Sequence, residues 1–176
     1  MPKPDTTPTD AAAQKPPVAH ELSFVVQKHQ ASRLHYDFRL EWKGVLLSWA
    51  VPKGPSLDPS VKRLAVQVAD HGIDRNAFEG PTNGGGVIIW DHGDYEQGGR
   101  VPWPAALERG HGVFVLRGEK LRGGFALQLT RPGPKPQWLL IKRRDDQARA
   151  GSDVVVERPA SVLSGRTLEE VLRDSS

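Results

Sequence analysis

Residues 24–41 have the sequence FVVQKHQASRLHYDFRLE, in which two runs typical of β-strands flank a short polar segment. We predict strands over residues 23–29 and 34–41, joined by a turn over residues 30–33. In the second run Tyr36, Phe38 and Leu40 alternate with polar residues, so these three side chains share one face of the strand and pack into a core. The stretch therefore predicts a β-hairpin with one apolar face and one polar face.

The same β-rich pattern continues along the chain to about residue 142. Six further short runs, separated by Gly, Pro, Asn and Asp, lie at residues 45–51, 63–68, 86–90, 112–116, 125–130 and 138–141. Roughly eight short strands at this spacing indicate an antiparallel sandwich or barrel. We therefore predict a mainly β fold whose body spans residues 21–150.

The two ends of the chain differ from this body. Residues 1–20 contain five prolines, show no periodicity and lack the apolar region of a signal peptide. They predict a disordered Pro-rich tail. Residues 151–176 form a C-terminal extension with one short helix, which Thr167 and Glu170 would begin as a capping box.

Composition excludes several function classes. The 176 residues suffice for one compact domain plus tails, and they include no cysteine, which excludes disulfides, thiolate nucleophiles and Cys-based metal sites. No apolar run approaches the roughly 20 residues of a membrane helix, so a cytoplasmic protein is expected. Residues 21–150 carry 19 basic and 14 acidic side chains. That excess favours a polyanionic partner such as nucleic acid, although an ordinary solvated surface would also carry it.

The polar face of the predicted hairpin carries an unusual set of side chains. Alternation places His35, Asp37 and Arg39 in one row, and the turn brings His29 back beside His35. Two imidazoles and a carboxylate are a ligand set for Mn, Fe or Zn, and Arg39 suits an anion bound to such a metal. The alternative is a simple ion pair of Asp37 with Arg39 or Arg33 on a solvated face.

Two further residues with chemical potential lie near turns. His71 follows a predicted strand and precedes Gly72, a position common at the mouth of a site. Lys53 lies in a loop between Pro52 and Gly54, which holds a cation more firmly than a flexible loop would. A lone histidine is more often an ordinary surface residue, so position alone assigns neither residue a role.

Residues 24–41 also resemble the signature of the DNA 3′-phosphoesterase domain of bacterial DNA ligase D, an enzyme of non-homologous end joining. Further segments match that family in the same order, namely Ser48–Pro55, Phe78–Gly80, Val87–Asp91, Trp138–Lys142 and Ser161–Glu170. The resemblance covers about residues 22–172.

This resemblance implies a small antiparallel β-barrel with a polar groove. It also implies a metal-dependent enzyme, using Mn²⁺ or another divalent metal, that removes a 3′-terminal ribonucleoside and then the 3′-phosphate from primer–template DNA. The product is a 3′-OH, which a DNA ligase acting in trans would seal in the bacterial nucleoid. By motif match, the metal ligands are His29, His35 and Asp37, the scissile phosphate is held by Arg39 and His71, a second phosphate contact comes from Lys53, and Gln27 supports the site.

At two positions the chain departs from the family pattern. Ala69 stands where the family usually has an acidic residue, and Arg75 stands where it usually has a tyrosine that contacts the phosphate. We expect Arg75 to bind phosphate in its place, although an arginine cannot act as a neutral donor. These departures keep open an alternative function, a catalytically weakened module of a DNA ligase that binds DNA ends.

Overall fold

A computed structural model describes residues 21–174 of the chain. Within these residues nine strands form one antiparallel sheet. The strands are β1 (Leu22–Gln30), β2 (Leu34–Trp42), β3 (Val45–Val51), β4 (Lys62–Gly72), β5 (Gly80–Thr82), β6 (Gly85–Gln97), β7 (His111–Gly118), β8 (Arg122–Arg131) and β9 (Gln137–Lys142). A 3₁₀ turn spans Ile73–Ala77, and the short helices are α1 (Ala105–Glu108), α2 (Val154–Glu157) and α3 (Leu168–Asp174).

The sheet closes on itself. Its strand order is β1-β2-β3-β4-β9-β8-β7-β6, and β6 pairs back with β1, so eight strands form a closed barrel, with β5 added beside β6. The predicted mainly β class and the antiparallel barrel are confirmed. Closure of the sheet pairs most of the strand edges within the described residues.

The barrel is filled by large side chains that alternate along its strands. Tyr36, Phe38 and Leu40 of β2 are buried, as the alternation predicts. Phe114 lies at the centre of the core, with its ring centroid 5.9 Å from that of Phe38 and 6.2 Å from that of Phe125. Burying each such side chain contributes about 1.5–3 kcal/mol of transfer free energy. Because these apolar side chains of β2 pack into the core, the alternating polar side chains of the strand face outward.

Several strand boundaries differ from the prediction. β4 continues to Gly72 rather than ending at Val68, and β6 extends to Gln97 rather than to Trp90. The added part of β6 is rich in polar residues, which depresses strand propensity, and it is stabilised by pairing with β7. The short elements β5, α1 and α2 were not predicted, since none has a periodic pattern of its own.

The C-terminal segment packs onto the barrel. The capping box is confirmed, with Thr167 N donating to Glu170 Oε1 at 2.8 Å and Glu170 N donating to Thr167 Oγ1 at 3.2 Å. Leu168 and Val171 of α3 pack against Ile88 of β6. Within residues 21–174 no helix has the length and apolar character needed to cross a membrane. The predicted tail over residues 1–20 lies outside the described residues.

Glu79, the central residue of the motif at residues 78–80, has a structural role. Its carboxylate accepts hydrogen bonds from Ile89 N at 2.7 Å and from Ser161 Oγ at 2.6 Å, and it also accepts one from Ser164 Oγ. One side chain thus joins β6 to the C-terminal segment.

A buried charge cluster lies where β6 meets the turn between β7 and β8. Asp91 is fully buried and accepts backbone N–H groups of Glu119, Lys120 and Leu121 at 2.8–3.2 Å. Burial raises the pKa of Asp91, and these donors oppose the rise. A Cβ on Gly118 would lie 2.4 Å from Asp91 Oδ2, so the turn requires glycine there. The carboxylate of Asp91 thus joins β6 to the turn between β7 and β8.

Candidate metal and phosphate site

The β1–β2 hairpin brings the polar residues onto one outer face. His29 pairs with His35 and Gln27 pairs with Asp37 across the two strands. Because directly opposed residues share a face, all four side chains project from the barrel on the same side. The ring centroids of His29 and His35 are 4.9 Å apart. The predicted return of His29 beside His35 is therefore confirmed.

Three potential metal ligands converge on this face. One ligand atom each from His29, His35 and Asp37 lies within 4.8 Å of the other two. His29 Nδ1 is 3.4 Å from Asp37 Oδ2, and His35 Nε2 is 3.2 Å from Asp37 Oδ1. These distances are longer than the 2.7–2.9 Å typical of charge-assisted hydrogen bonds. The cluster thus brings three potential ligand atoms close together without tight pairing among them.

The protonation of His35 follows from its other contact. Its Nδ1 lies 3.2 Å from the carbonyl oxygen of Arg33, which can only accept, so Nδ1 carries the proton. The Nε2 lone pair then faces Asp37, as a histidine metal ligand requires. The hydrogen bond with Asp37 raises the pKa of His35 despite the opposing effect of burial.

Asp37 is held in its charged form. Burial alone would raise the pKa of Asp37, but hydrogen bonds from His29 and His35 and the charge of Arg39 hold it well below its usual range. Asp37 therefore contributes a charged carboxylate to the cluster, beside the rings of His29 and His35. This donor set fits a divalent cation.

Arg39 is fixed behind the ligand cluster by four side chains. Its Nε donates to Gln27 Oε1 at 2.9 Å, and its Nη1 donates to Ser48 Oγ at 2.9 Å. Its Nη2 lies 3.5 Å from Asp37 Oδ2, and Arg39 is only 4% exposed. The ion pair of Asp37 with Arg39 is thus present, but it lies in a buried network rather than on a solvated face.

His71 joins this network through a bulge in β4. Ser48 pairs with Val68 while Leu46 pairs with His71, so Ala69 and Asp70 oppose a single residue of β3. The extra residue turns both Val68 and His71 toward the site. Arg39 Nη1 lies 2.9 Å from His71 Nδ1, and because arginine only donates, that nitrogen accepts. The proton of the neutral ring is therefore on Nε2.

These side chains line one cavity of about 340 Å³, which we call the groove. Its lining residues are Gln27, His29, His35, Asp37, Arg39, Ala50, Val68, His71, Thr82 and Val87.

Two residues of the site escaped the sequence analysis. Thr82 Oγ1 is buried at the groove and has no hydrogen-bond partner within residues 21–174. No sequence signal indicated it, because β5 has no strand propensity of its own. Ser48, which binds Arg39, shares its strand face with Ala50, so the period-2 pattern of β3 could have found it.

The remaining predicted residues lie around the groove. Lys53 is exposed in the turn after β3 and is not among the groove's lining residues. Ala69 is exposed in the β4 bulge. The backbone of Arg75 belongs to the 3₁₀ turn after β4, and its side chain lies outside the described part of the structure. The phosphate contacts of Lys53 and Arg75 stay predictions.

Comparison with known proteins identifies the family. Residues 27–129, which include every side chain that lines the groove, match the DNA Ligase D 3′-phosphoesterase domain. The chain belongs to this family, as the motifs indicated.

Individual relatives agree with this assignment. The chain is 53% identical over 156 residues to the multifunctional non-homologous end joining protein LigD of Pseudomonas aeruginosa, an alignment that covers 84% of this chain and 18% of that protein. It is 38% identical over 151 residues to the protein of the same name from Mycolicibacterium smegmatis, covering 80% of this chain and 19% of that protein. The chain thus spans about a fifth of the length of these relatives.

Proposed function

We propose that this protein is a metal-dependent 3′-end-healing phosphoesterase. It removes a 3′-terminal ribonucleoside, and then the remaining 3′-phosphate, from primer–template DNA, and a DNA ligase acting in trans seals the resulting 3′-OH. The observation that carries the proposal is the convergence of three ligand atoms within 4.8 Å beside the buried guanidinium of Arg39. Membership of the phosphoesterase family supports it.

His29, His35 and Asp37 would hold the metal, with Mn²⁺ as the first candidate. Two imidazole nitrogens and one carboxylate oxygen suit this ion, and three protein ligands leave coordination positions for substrate. When bound, the metal would supply Lewis-acid polarisation of a phosphate oxygen and of the attacking water.

Arg39 would stabilise the charge that develops on the phosphate. Gln27 and Ser48 already fix its guanidinium, so no reorganisation is needed when the transition state forms. A lysine amine could not keep these contacts and reach a phosphate oxygen at the same time.

His71 would act on the leaving group. In the first step the bond from phosphorus to the 5′-oxygen of the terminal ribonucleoside breaks. In the second step water attacks phosphorus and releases a proton to solvent, the bond from phosphorus to the 3′-oxygen breaks, and that oxygen takes up a proton to give the 3′-OH. The Nε2–H of His71 is the hydrogen-bond donor for this oxygen, because Arg39 occupies Nδ1. The unpartnered hydroxyl of Thr82 would bind a further phosphate oxygen.

The test uses purified protein and two labelled primer–templates, one ending in a single ribonucleotide and one in a 3′-phosphate. Each is incubated with Mn²⁺ or with EDTA, and His29→Ala serves as the control. We expect metal-dependent conversion of both substrates to a 3′-OH, lost in His29→Ala without a change in melting temperature. Conversion in EDTA, or by the His29→Ala protein, would refute the proposal.

Ala69 and Arg75 favour a second candidate, a catalytically weakened module that binds DNA ends for a ligase. In that case the protein binds the primer–template in a salt-sensitive manner but yields no product. The variant that combines Ala69→Glu with Arg75→Tyr then gains turnover that its parent lacks. If the parent is already active, and the variant gains nothing, the second candidate is excluded.

A further inference from the structure

A second cationic cavity lies on the barrel wall opposite the groove. The groove is built on the outer face of β1–β4. The second cavity is lined by residues of the segment that connects β6 to β7, by His111 and Val113 of β7 and by Arg143 just after β9, and β7 and β9 flank β8 in the sheet. In the closed strand order, β2 and β8 are separated by three strands in either direction, so the two sites face opposite sides of the barrel.

Four cationic or titratable side chains line this cavity, which we call the arginine pocket. They are Arg100, Arg109, His111 and Arg143, and the cavity has a volume of about 330 Å³. His111 and Arg143 come from the outer faces at β7 and the end of β9, while the other two arginines come from the connecting segment. All four are exposed. Residues far apart in sequence therefore converge on one cavity.

The charge of the arginine pocket is not neutralised by the described chain. Throughout residues 21–174 no carboxylate pairs with Arg100, Arg109 or Arg143, and none lines the pocket. Arg117 of β7, by contrast, contacts Asp94 at 2.5 Å and Glu96 at 3.0 Å. Three uncompensated guanidiniums around one cavity favour a ligand that carries negative charge.

The shape of the pocket favours a nucleic-acid strand. Val101 and Val113 give it an apolar part beside the guanidiniums. A nucleotide unit combines the same two properties, a phosphate that arginine binds bidentately and a sugar and base with apolar surface.

We infer that the arginine pocket binds the backbone of a second DNA molecule, so that one protein can hold two DNA segments at once. Duplex DNA has a persistence length of about 150 base pairs, so a duplex seated in the groove does not curve around the barrel. A duplex bound in the pocket is therefore a separate molecule, and occupation of the pocket by the substrate's own single-stranded overhang is a result that would overturn the inference. The inference rests on the proposed function only in taking DNA as the occupant of the groove.

The test is a bridging assay with the full chain in EDTA, where hydrolysis does not occur. A biotinylated primer–template is fixed on beads, and retention of a second, fluorescent duplex without biotin is measured over a series of salt concentrations. The test variant combines Arg109→Ala with Arg143→Ala. The matched control is Arg131→Ala, which removes an exposed arginine of β8 that does not line the pocket.

We expect the parent and Arg131→Ala to retain the second duplex. The double variant should bind it at least about tenfold more weakly, with a slope of log affinity against log salt that is smaller by about 2, one for each lost phosphate contact. Its melting temperature and its Mn²⁺-dependent hydrolysis of the primer–template should equal those of the parent.

Three results would overturn the inference. One is a parent that retains no second duplex, and another is a double variant that retains it with the parental salt slope. The third is a double variant that also binds the first primer–template more weakly, since the pocket would then serve the substrate duplex itself. Absence of hydrolysis by the parent would count against the proposed function and leave the bridging result unaffected.

Discussion

The groove around Asp37 and the turn around Asp91 both bury a carboxylate, but the two carboxylates are satisfied in different ways. Asp91 accepts three consecutive backbone N–H groups at 2.8–3.2 Å, which the fold fixes and which no ligand can replace. Asp37 contacts the side chains of His29, His35 and Arg39 at 3.2–3.5 Å, beside an open cavity. Burial of charge therefore does not by itself identify a functional site. The kind of partner, and the space next to it, distinguish a ligand from a structural residue.

The largest effect should come from Asp37→Asn. A neutral amide is a poor ligand for a divalent metal, so we expect phosphoesterase turnover per folded molecule to fall at least about a thousandfold. Because the amide no longer balances the charge of Arg39, we expect the melting temperature to fall as well. Initial rates on a 3′-phosphate primer–template and a thermal melt measure both quantities. Retention of more than a tenth of the parental rate would remove Asp37 from the ligand set.

The same substitution at the other carboxylate, Asp91→Asn, should act on stability instead. The amide nitrogen cannot accept the backbone N–H groups of the turn, so we expect a loss of about 3 kcal/mol in the free energy of unfolding. Urea denaturation measures the loss, and turnover per folded molecule should be unchanged. If Asp91→Asn is as stable as the parent, Asp91 has no structural role. If the folded variant has lost turnover, Asp91 acts in catalysis as Asp37 does, and the difference between the two clusters is refuted.

Arg39→Lys tests whether the position of the Arg39 guanidinium matters for turnover in addition to its positive charge. A lysine keeps the positive charge but cannot contact Gln27, Ser48 and His71 together, so we expect turnover to fall about a hundredfold. The Asp91 cluster offers no equivalent substitution, because the hydrogen bonds to that carboxylate come from backbone N–H groups and not from an arginine side chain. If kcat stays within threefold of the parental value, charge alone accounts for the role of Arg39.

Lys120 provides a pH test of the Asp91 region. Its Nζ lies 4.4 Å from the ring centre of Trp90, and burial lowers the pKa of Lys120 from 10.5 to about 8. Between these values the unfolded chain binds more protons than the folded protein, so stability rises with pH. Relative to Lys120→Met, the parent should gain about 2.5 kcal/mol between pH 8 and pH 10.5. Urea melts at both pH values measure the gain, and a constant difference would show that Lys120 keeps its ordinary pKa.

Thr82→Val should have the smallest effect. Valine has the shape of threonine without its hydroxyl, and Thr82 Oγ1 has no protein partner within the described residues, so folding loses nothing. One lost hydrogen bond to a phosphate oxygen corresponds to about 1 kcal/mol, or roughly a fivefold fall in kcat/KM. Steady-state kinetics on the 3′-phosphate substrate decide the point, and an unchanged kcat/KM would leave Thr82 without a role in binding.

The hairpin and its ligand cluster could be predicted from the sequence because both depend on local pattern. Alternation over residues 34–41 fixes which side chains face outward, and a short turn fixes the return of His29. Barrel closure could not be predicted from residues alone. It depends on the pairing of β1 with β6, and no local pattern records a partner that far along the chain.

Two parts of the site depended on tertiary context for the same reason. His71 reaches the groove only through the bulge at Ala69–Asp70, and a bulge has no signature in a simple alternation of polar and apolar residues. Thr82 reaches it through β5, whose Gly-Pro-Thr sequence forms a strand only because β6 is there to pair with it. The family resemblance identified His71 as a site residue, but it did not identify Thr82.

Closure of the barrel by distant strands also sets the order in which the protein can fold. β4 pairs with β9, so Lys62 lies opposite Ile141, and β4 remains an unpaired edge until residues 137–142 have been synthesised. Such long-range pairing places the domain among proteins that fold in milliseconds to seconds. The metal-ligand hairpin is made first on the ribosome, but the strand that holds His71 beside Arg39 is secured last. A truncated or nascent chain would therefore display the ligands without an assembled groove.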